Sequence, residues 1–290
     1  MISVVIPAYN EQDAIFETIT SIREVLNKAD LKDSEVIVVD DGSSDQTGER
    51  AEMAKAKVIV NLKNMGYGFS LKRGITEAQN DTIVIIDADG TYPVKDIPRL
   101  VQKYQEGFHM VVGARTGKYF LGSYFRAPLR ILLRWLVEFT ADQRIPDVNS
   151  GLRVFSREEV IPYFDRLSNK FSFTTTVTLA YILTQKFVDY VEVDYRDRIG
   201  HTKVHLVWDS MRVFQQIIET GLYFKPLKIF LVVAIVTLTA AIGSIAIGMA
   251  MNIVSAVWLG IGFIIISIIV LAIGLFAQAV MHIGNRSDRK

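Results

Sequence analysis

From Ile229 to Met281 the chain carries no charged side chain. Helices of that length without one charge are rare in a soluble core, whereas a hydrocarbon layer of about 30 Å demands about 20 apolar residues in a row. Asn252 and Ser255 are a weak polar break, so the stretch divides into two spans, Ile229–Met251 and Ala256–Val280. Lys225 and Lys228 precede the first, Arg286, Arg289 and Lys290 follow the second, and the connection carries no charge. The positive-inside rule then places both ends, and the large region before the hairpin, on the cytoplasmic side.

The residues before the hairpin suffice for one α/β domain of about 200 residues. Short apolar runs at Ile2–Ile6, Val36–Val39, Val58–Val60, Ile83–Ile86 and Met110–Val112 read as strands. Helical patterns lie between them at Gln12–Leu26, Asp45–Ala56, Gly68–Ala78 and Val94–Tyr104. Such alternation predicts a Rossmann-like, mostly parallel, doubly wound sheet. The opening residues lack a basic segment and meet Pro7, so they form a first strand and not a signal peptide. With no cysteine, disulfides, thiolate zinc sites and cysteine nucleophiles are all excluded. A formal net charge of +1 gives no reason to expect nucleic acid as a partner.

Two later segments are amphipathic. Over Phe125–Thr140, Phe125, Leu129, Leu132, Leu133 and Leu136 share one helical face, and Arg126, Arg130 and Arg134 lie on a neighbouring one. Over His205–Leu222, Val207, Met211, Phe214, Ile218 and Leu222 form an apolar stripe opposed by His205, Asp209, Arg212, Gln216 and Glu219. Packing on a soluble core explains such a stripe in general. The second segment runs straight into a span, which favours a place in the bilayer interface. The organisation expected is a catalytic domain over 1–204, an interfacial helix over 205–226 and a membrane hairpin over 227–290.

The chemistry gathers at strand ends. Asp87-Ala88-Asp89 follows the apolar run Ile83–Ile86, and Gly90 and Pro93 stop the strand. Residues two apart on extended backbone point the same way, so both carboxylates face one spot beyond the strand's carboxyl end. Open α/β sheets bind ligands there. Paired hard oxygens suit Mg²⁺ or Mn²⁺ holding a diphosphate. Pro7-Ala8-Tyr9-Asn10-Glu11 and Asp40-Asp41-Gly42-Ser43 end the first two strands at the same edge. Tyr9 offers a ring for stacking; Glu11 and Asp41 offer acceptors. Asn10 and Asp45 suit helix N-caps. Gly66-Tyr67-Gly68 is a poor dinucleotide fingerprint, because the third glycine is missing.

These motifs, with Asn64-Met65-Gly66, Val112-Gly113-Ala114-Arg115, Asn149-Ser150-Gly151-Leu152-Arg153 and Arg198-Ile199-Gly200-His201-Thr202-Lys203, resemble those of family 2 inverting glycosyltransferases with the GT-A fold. Within that family the likeness is to polyprenyl-phosphate glycosyltransferases, the group of dolichyl-phosphate mannose synthases and undecaprenyl-phosphate glucosyltransferases, and it covers about residues 1–226. The resemblance implies that Pro7, Tyr9, Glu11, Asp40, Asp41 and Ala88 line the nucleotide-sugar pocket. It makes Asp87 and Asp89 the diphosphate and metal clamp, with Thr91 beside them. Arg115 and Arg126 would bind the acceptor phosphate, Ser150 and Gly151 would belong to the acceptor-facing loop, and Arg198 and Lys203 would close over the donor. Relatives often carry Leu-Gln where this chain has Gly90-Thr91, and Gly-x-Ser-Lys where it has Gly200-His201-Thr202-Lys203.

The resemblance implies transfer of a hexose from GDP-mannose or a UDP-hexose to polyprenyl monophosphate at a membrane, with Mg²⁺ or Mn²⁺ as cofactor. The acceptor is already anionic at neutral pH, so no general base is needed. Metal and arginines offset the repulsion between the two anions. Two other readings compete with this one: a processive polysaccharide synthase and a membrane scaffold without turnover. The first expects Gln-x-x-Arg-Trp before the membrane, and here Ile131 stands at the glutamine position before Arg134-Trp135. Only the Gly90-Thr91 departure supports the second. A homo-oligomer is compatible with two spans whose outer faces can pair.

Overall fold

The computed structural model describes residues 1–31, 33–116, 135–196 and 206–287. The chain forms two compact units, Met1–Ile217 and Ile218–Lys290. The first is built on a seven-stranded sheet in the order β3-β2-β1-β4-β6-β5-β7. Its strands are β1 (Ser3–Ala8), β2 (Glu35–Asp40), β3 (Lys57–Val60), β4 (Thr82–Ile85), β5 (Met110–Thr116), β6 (Arg153–Ser156) and β7 (Val188–Asp194). All neighbours are parallel except at β6, which runs against both β4 and β5.

The centre of the sheet follows from uninterrupted apolar runs. Val4, Val5 and Ile6 of β1, Ile37 to Val39 of β2 and Ile83 to Ile85 of β4 are all fully buried. Helices α1 (Gln12–Lys28), α2 (Thr47–Met53), α3 (Tyr67–Thr76) and α4 (Ile97–Gln105) connect the parallel strands. Helix α1 buries Ala14, Ile15, Ile19, Ile22 and Leu26 at helical spacing. Helix α3 lies close on the sheet because Gly74 faces it: a Cβ there would stand 2.5 Å from Val5 Cγ1 and 3.0 Å from Val39 Cγ2.

The expected mostly parallel sheet is present, with two strands that apolar runs did not reveal. Strand β6 is short and begins with a fully buried arginine, Arg153, so it contains no apolar run to detect. Strand β7 lies at the sheet's edge, where Val191 and Val193 are buried and Glu192 and Asp194 exposed. It therefore alternates in place of running apolar throughout.

The second unit contains helices Pro226–Ala250 and Val254–Ser287, of which Pro226–Ala250 and Val254–Met281 are long and apolar enough to cross a membrane. They pack antiparallel along a seam of small residues. Ala234, Ala241 and Gly248 are buried on the first helix, and Gly260, Ser267 and Gly274 on the second, each set at heptad spacing. Ser267 Oγ donates to Ala234 O at 2.8 Å, and Ser244 Oγ donates to Ala256 O at 2.8 Å. A Cβ on Gly260 would stand 2.9 Å from Ala241 O, and one on Gly274 would stand 2.6 Å from Phe230 Cβ. Lipid gives no hydrophobic drive between helices, so close backbone approach and hydroxyl bonds hold such a pair. Outward residues such as Ile235, Ile242, Leu259, Ile268 and Phe276 are exposed.

Gly260→Leu is expected to part the two helices. The absence of native cysteine makes this measurable: Ala234→Cys with Ser267→Cys should cross-link readily, and adding Gly260→Leu should slow that oxidation at least about tenfold, a difference of about 1.4 kcal/mol. Equal rates would show that the seam is not close-packed there.

Helix Leu206–Phe224 matches the expected amphipathic segment. Among its described side chains, Ile217 and Thr220 are buried, whereas Met211 and Phe214 of the expected apolar stripe are exposed. Ile217 packs with Val137, Ala141, Ile145 and Leu179. Of Phe125–Thr140, only the helical residues 135–140 are described; Arg126, Arg130 and Arg134 lie outside the described residues.

Candidate active site at the carboxyl edge of the sheet

The first two strand-end loops are laced together. Asn10 takes a left-handed backbone conformation (φ 52°) and its Oδ1 accepts from Ser44 N at 2.8 Å. Asn10 N donates to Ser43 Oγ, Glu11 N to Thr47 Oγ1 and Gln12 N to Asp45 Oδ2. The N-cap positions fall instead on Glu11 for α1 and Gln46 for α2; Asp45 accepts from the first backbone N–H of each helix, Gln12 N at 3.3 Å and Thr47 N at 3.0 Å, while Asn10 bridges the loops. Pro7 is buried within β1, and Tyr9 and Glu11 are half-buried at its end.

Asp40 and Asp41 organise the next loop. Asp40 Oδ1 accepts from Ser43 N at 2.9 Å. Asp41, nearly buried, accepts from Asn61 Nδ2 at 2.7 Å, Met65 N at 2.9 Å and Gly66 N at 2.8 Å. It holds the chain where Gly66, at φ 109°, turns into α3, a conformation that a side chain would strain. The acceptor expected for a base is at least equally a brace for this turn.

Helix α3 then places Tyr67 against the Asp-x-Asp motif. Tyr67 Oη donates to Asp87 Oδ1 at 2.8 Å. Burial first, and then the charge of Asp87, push the Tyr67 phenol well above its ordinary pKa, so it remains a donor. Asp89 is held from the other side: Thr91 Oγ1 donates to its Oδ1 at 2.6 Å and Thr91 N at 3.1 Å. Thr91 is fully buried, so its hydroxyl orients the carboxylate directly. Gly90, with φ 72°, makes the turn between them. Ala88 is buried, and its carbonyl accepts from Thr18 Oγ1 of α1.

The loop entering β6 also reaches Asp87. A Cβ on Gly151 would stand 2.3 Å from Asp87 Oδ2 and 2.5 Å from its Oδ1, so only glycine lets this backbone lie on that carboxylate. Gly151 N donates to Tyr92 Oη at 2.6 Å. Ser150 is buried behind the loop, its Oγ donating to Gly113 O at 2.6 Å. Arg115 meets Asp147 in a bidentate pair, Nε to Oδ2 at 2.7 Å and Nη2 to Oδ1 at 2.9 Å. Its guanidinium also lies 5.4 Å from the centre of the Tyr195 ring.

Arg153 pins this loop from inside the core. Its Nε donates to Ser150 O at 2.8 Å, Nη2 to Val148 O at 2.7 Å and Nη1 to Thr178 Oγ1 at 2.6 Å. Arg153→Met keeps the apolar stem but leaves these buried acceptors unpaired, each costing about 1–3 kcal/mol. The expected outcome is a loss of about 3 kcal/mol in denaturant unfolding; a loss below about 0.5 kcal/mol would remove the pin.

The structure therefore brings together Asp87, Asp89, Thr91, Arg115 and Gly151, with the Asp40–Asp41 loop joined to them through α3. Arg126, Arg198 and Lys203 lie outside the described residues. Three residues escaped sequence reasoning as site members: Tyr67, Asp147 and Arg153. Tyr67 lies between two glycines whose pattern suits a turn into a helix, and Asp147 lies two residues before Asn149. Their partners lie far away in sequence.

Among the described residues no group of three or more His, Cys, Asp or Glu side chains could form a cage for a metal ion. Two oriented carboxylates of hard oxygen still fit Mg²⁺ or Mn²⁺, which commonly take one or two carboxylates and complete their shell with substrate phosphate and water. Asp87 and Asp89 would hold such an ion, and it would supply charge to stabilise a departing diphosphate.

Carboxylates and loops gathered at the carboxyl edge of a mostly parallel sheet put the candidate site where open α/β folds bind their ligands. The description "Glycosyl transferase family 2" matches residues 3–162, and the chain belongs to that family. It is 34% identical over 165 residues to undecaprenyl-phosphate 4-deoxy-4-formamido-L-arabinose transferase of Enterobacter sp. (strain 638), and equally to that of Salmonella choleraesuis (strain SC-B67). Each match takes in 54% of this chain and 49% of the relative, so the chain spans about half the length of the curated relatives it matches. Among solved structures, glucosyl-3-phosphoglycerate synthase from Mycobacterium tuberculosis in complex with UDP has a similar fold, with a TM-score of 0.63 at 23% identity over 76% of this chain and 80% of that one. The same enzyme in complex with Mn²⁺, UDP and phosphoglyceric acid gives 0.61 at 25% identity, over 76% and 78%.

Proposed function

We propose that this protein is a membrane-bound inverting glycosyltransferase that moves a hexose from a nucleotide sugar, GDP-mannose or a UDP-hexose, to polyprenyl monophosphate. The observation that carries the reading is the pair Asp87 and Asp89, each oriented by a hydroxyl donor, in a family 2 chain that continues into two helices long enough to cross a membrane. Relatives named for transfer to undecaprenyl phosphate support the acceptor, and a neighbour bound to UDP and Mn²⁺ supports the donor and metal. Lysines and arginines flanking the two spans support a cytoplasmic catalytic domain and cytoplasmic ends.

In this reading the Tyr9–Glu11 and Asp40–Asp41 loops hold the nucleoside, and Asp87 and Asp89 hold the diphosphate with its cation. Arg115, kept in one orientation by Asp147, offers its planar donors to the acceptor phosphate. Arg126, Arg198 and Lys203 complete the positive set around the two anions. Anionic acceptor oxygen attacks the anomeric carbon, and the nucleoside diphosphate leaves from the opposite face. No side chain has to remove a proton.

The test supplies purified full-length protein with Mn²⁺ or Mg²⁺, a polyprenyl phosphate and labelled GDP- and UDP-sugars. One donor should give a lipid-linked monosaccharide, and chelation should stop its formation. Lack of product and of donor hydrolysis with every donor would end the proposal; a polymer would redirect it to a processive synthase.

A further inference from the structure

Resting on the metal-dependent reading above, we infer that Tyr67 is a positioning residue that sets Asp87 for the divalent cation and ties it to the nucleoside loop. Tyr67 is the first residue of α3, and the chain around it is held from two directions. Asp41 accepts from Met65 N and Gly66 N on one side. On the other, a Cβ on Gly68 would stand 2.2 Å from Ser168 O, and Phe69 N donates to Asn169 O at 3.0 Å. The Tyr67 ring lies against Phe171 with centroids 5.8 Å apart. A ring so fixed delivers its hydroxyl to one place, 2.8 Å from Asp87 Oδ1.

The Gly151 backbone also lies against the Asp87 carboxylate, so the group meets both a phenol and a backbone. Confinement of a ligand before the ion arrives lowers the entropy lost on binding. Hydrogen-bond partners of metal ligands typically govern about 10–100-fold of affinity. The connection Asp41–Met65/Gly66–Tyr67–Asp87 also joins the base end of the pocket to its diphosphate end through one rigid helix start.

Tyr67→Phe removes the hydroxyl and keeps the ring. Mn²⁺ binding to the full-length protein in detergent is followed by the electron paramagnetic resonance of free Mn²⁺, with UDP and GDP as probes in parallel. The variant should bind Mn²⁺ about tenfold more weakly or worse, while its nucleotide affinity in chelator stays within about twofold of the parent's. Phe171→Ala keeps the hydroxyl but loosens one of the contacts that aim it, so it should weaken Mn²⁺ binding by a smaller factor than Tyr67→Phe does. Unchanged Mn²⁺ affinity in Tyr67→Phe overturns the inference. So does an equal loss in Phe171→Ala, or a parallel loss of nucleotide binding in Tyr67→Phe, since either would make the effect one of packing. If the parent protein binds no Mn²⁺ with either nucleotide, the metal reading of Asp87 and Asp89 falls first and takes this inference with it.

Discussion

Asp89→Ala is expected to lower formation of lipid-linked sugar at least about a thousandfold, equivalent to about 4 kcal/mol of lost transition-state stabilisation. The size follows from what the residue does in the proposed site. Bringing an anionic acceptor to an anionic donor needs countercharge, and Asp89 is the carboxylate locked by both the hydroxyl and the N–H of Thr91. Without it the site would lose a ligand for the cation that would stabilise the departing diphosphate. Global stability should change little, because the alanine removes an oriented group in the turn beyond β4 and opens no apolar core. Initial rates across a metal titration, with thermal unfolding as a control, measure both. Turnover within tenfold of the parent at saturating metal would discard the clamp.

Gly151→Ala should cost about a hundredfold in turnover through one methyl group. By resemblance Gly151 belongs to the acceptor side, so its substitution would raise the KM for polyprenyl phosphate. The geometry leads elsewhere, since the new Cβ would stand 2.3–2.5 Å from the Asp87 carboxylate. Either that carboxylate moves and breaks the bond from Tyr67, or the loop moves and breaks the bond from Gly151 N to Tyr92. Misplacing a binding group by about 1 Å can cost about a hundredfold. The expected signature is a raised requirement for metal and donor with little change in the KM for acceptor. A pure acceptor effect would restore the loop's assignment and refute the Asp87 contact.

Much of the fold was legible because its central strands are buried on both faces. Ile83–Ile86 and Val36–Val39 are continuous apolar runs, and such runs have few other places to go. Strand β6 was hidden by Arg153, a charge that a strand core tolerates only because Ser150, Val148 and Thr178 supply acceptors around it. The hairpin seam was present in sequence as Ala234, Ala241 and Gly248 facing Gly260, Ser267 and Gly274. It escaped notice because two apolar spans meet length and charge criteria whatever their small residues do. In the candidate site, acids at strand ends were readable from local pattern alone. Tyr67 and Asp147 were not, because their value lies in contacts with Asp87 and Arg115, 20 and 32 residues away.

By itself, the sequence determined the alternation of strands and helices, the strand ends where the acids gather, and the uncharged stretch long enough to cross a membrane twice. Those features are local: side-chain period, turn residues and hydropathy act over a few residues and survive without knowledge of neighbours. Tertiary structure alone decided how each carboxylate is held. It set a tyrosine from α3 and a glycine from the β6 approach against Asp87, and a threonine on Asp89. It also set Asp147 on Arg115. A hydrogen bond needs donor and acceptor within about 3 Å, and only the folded chain brings residues from separate loops that close.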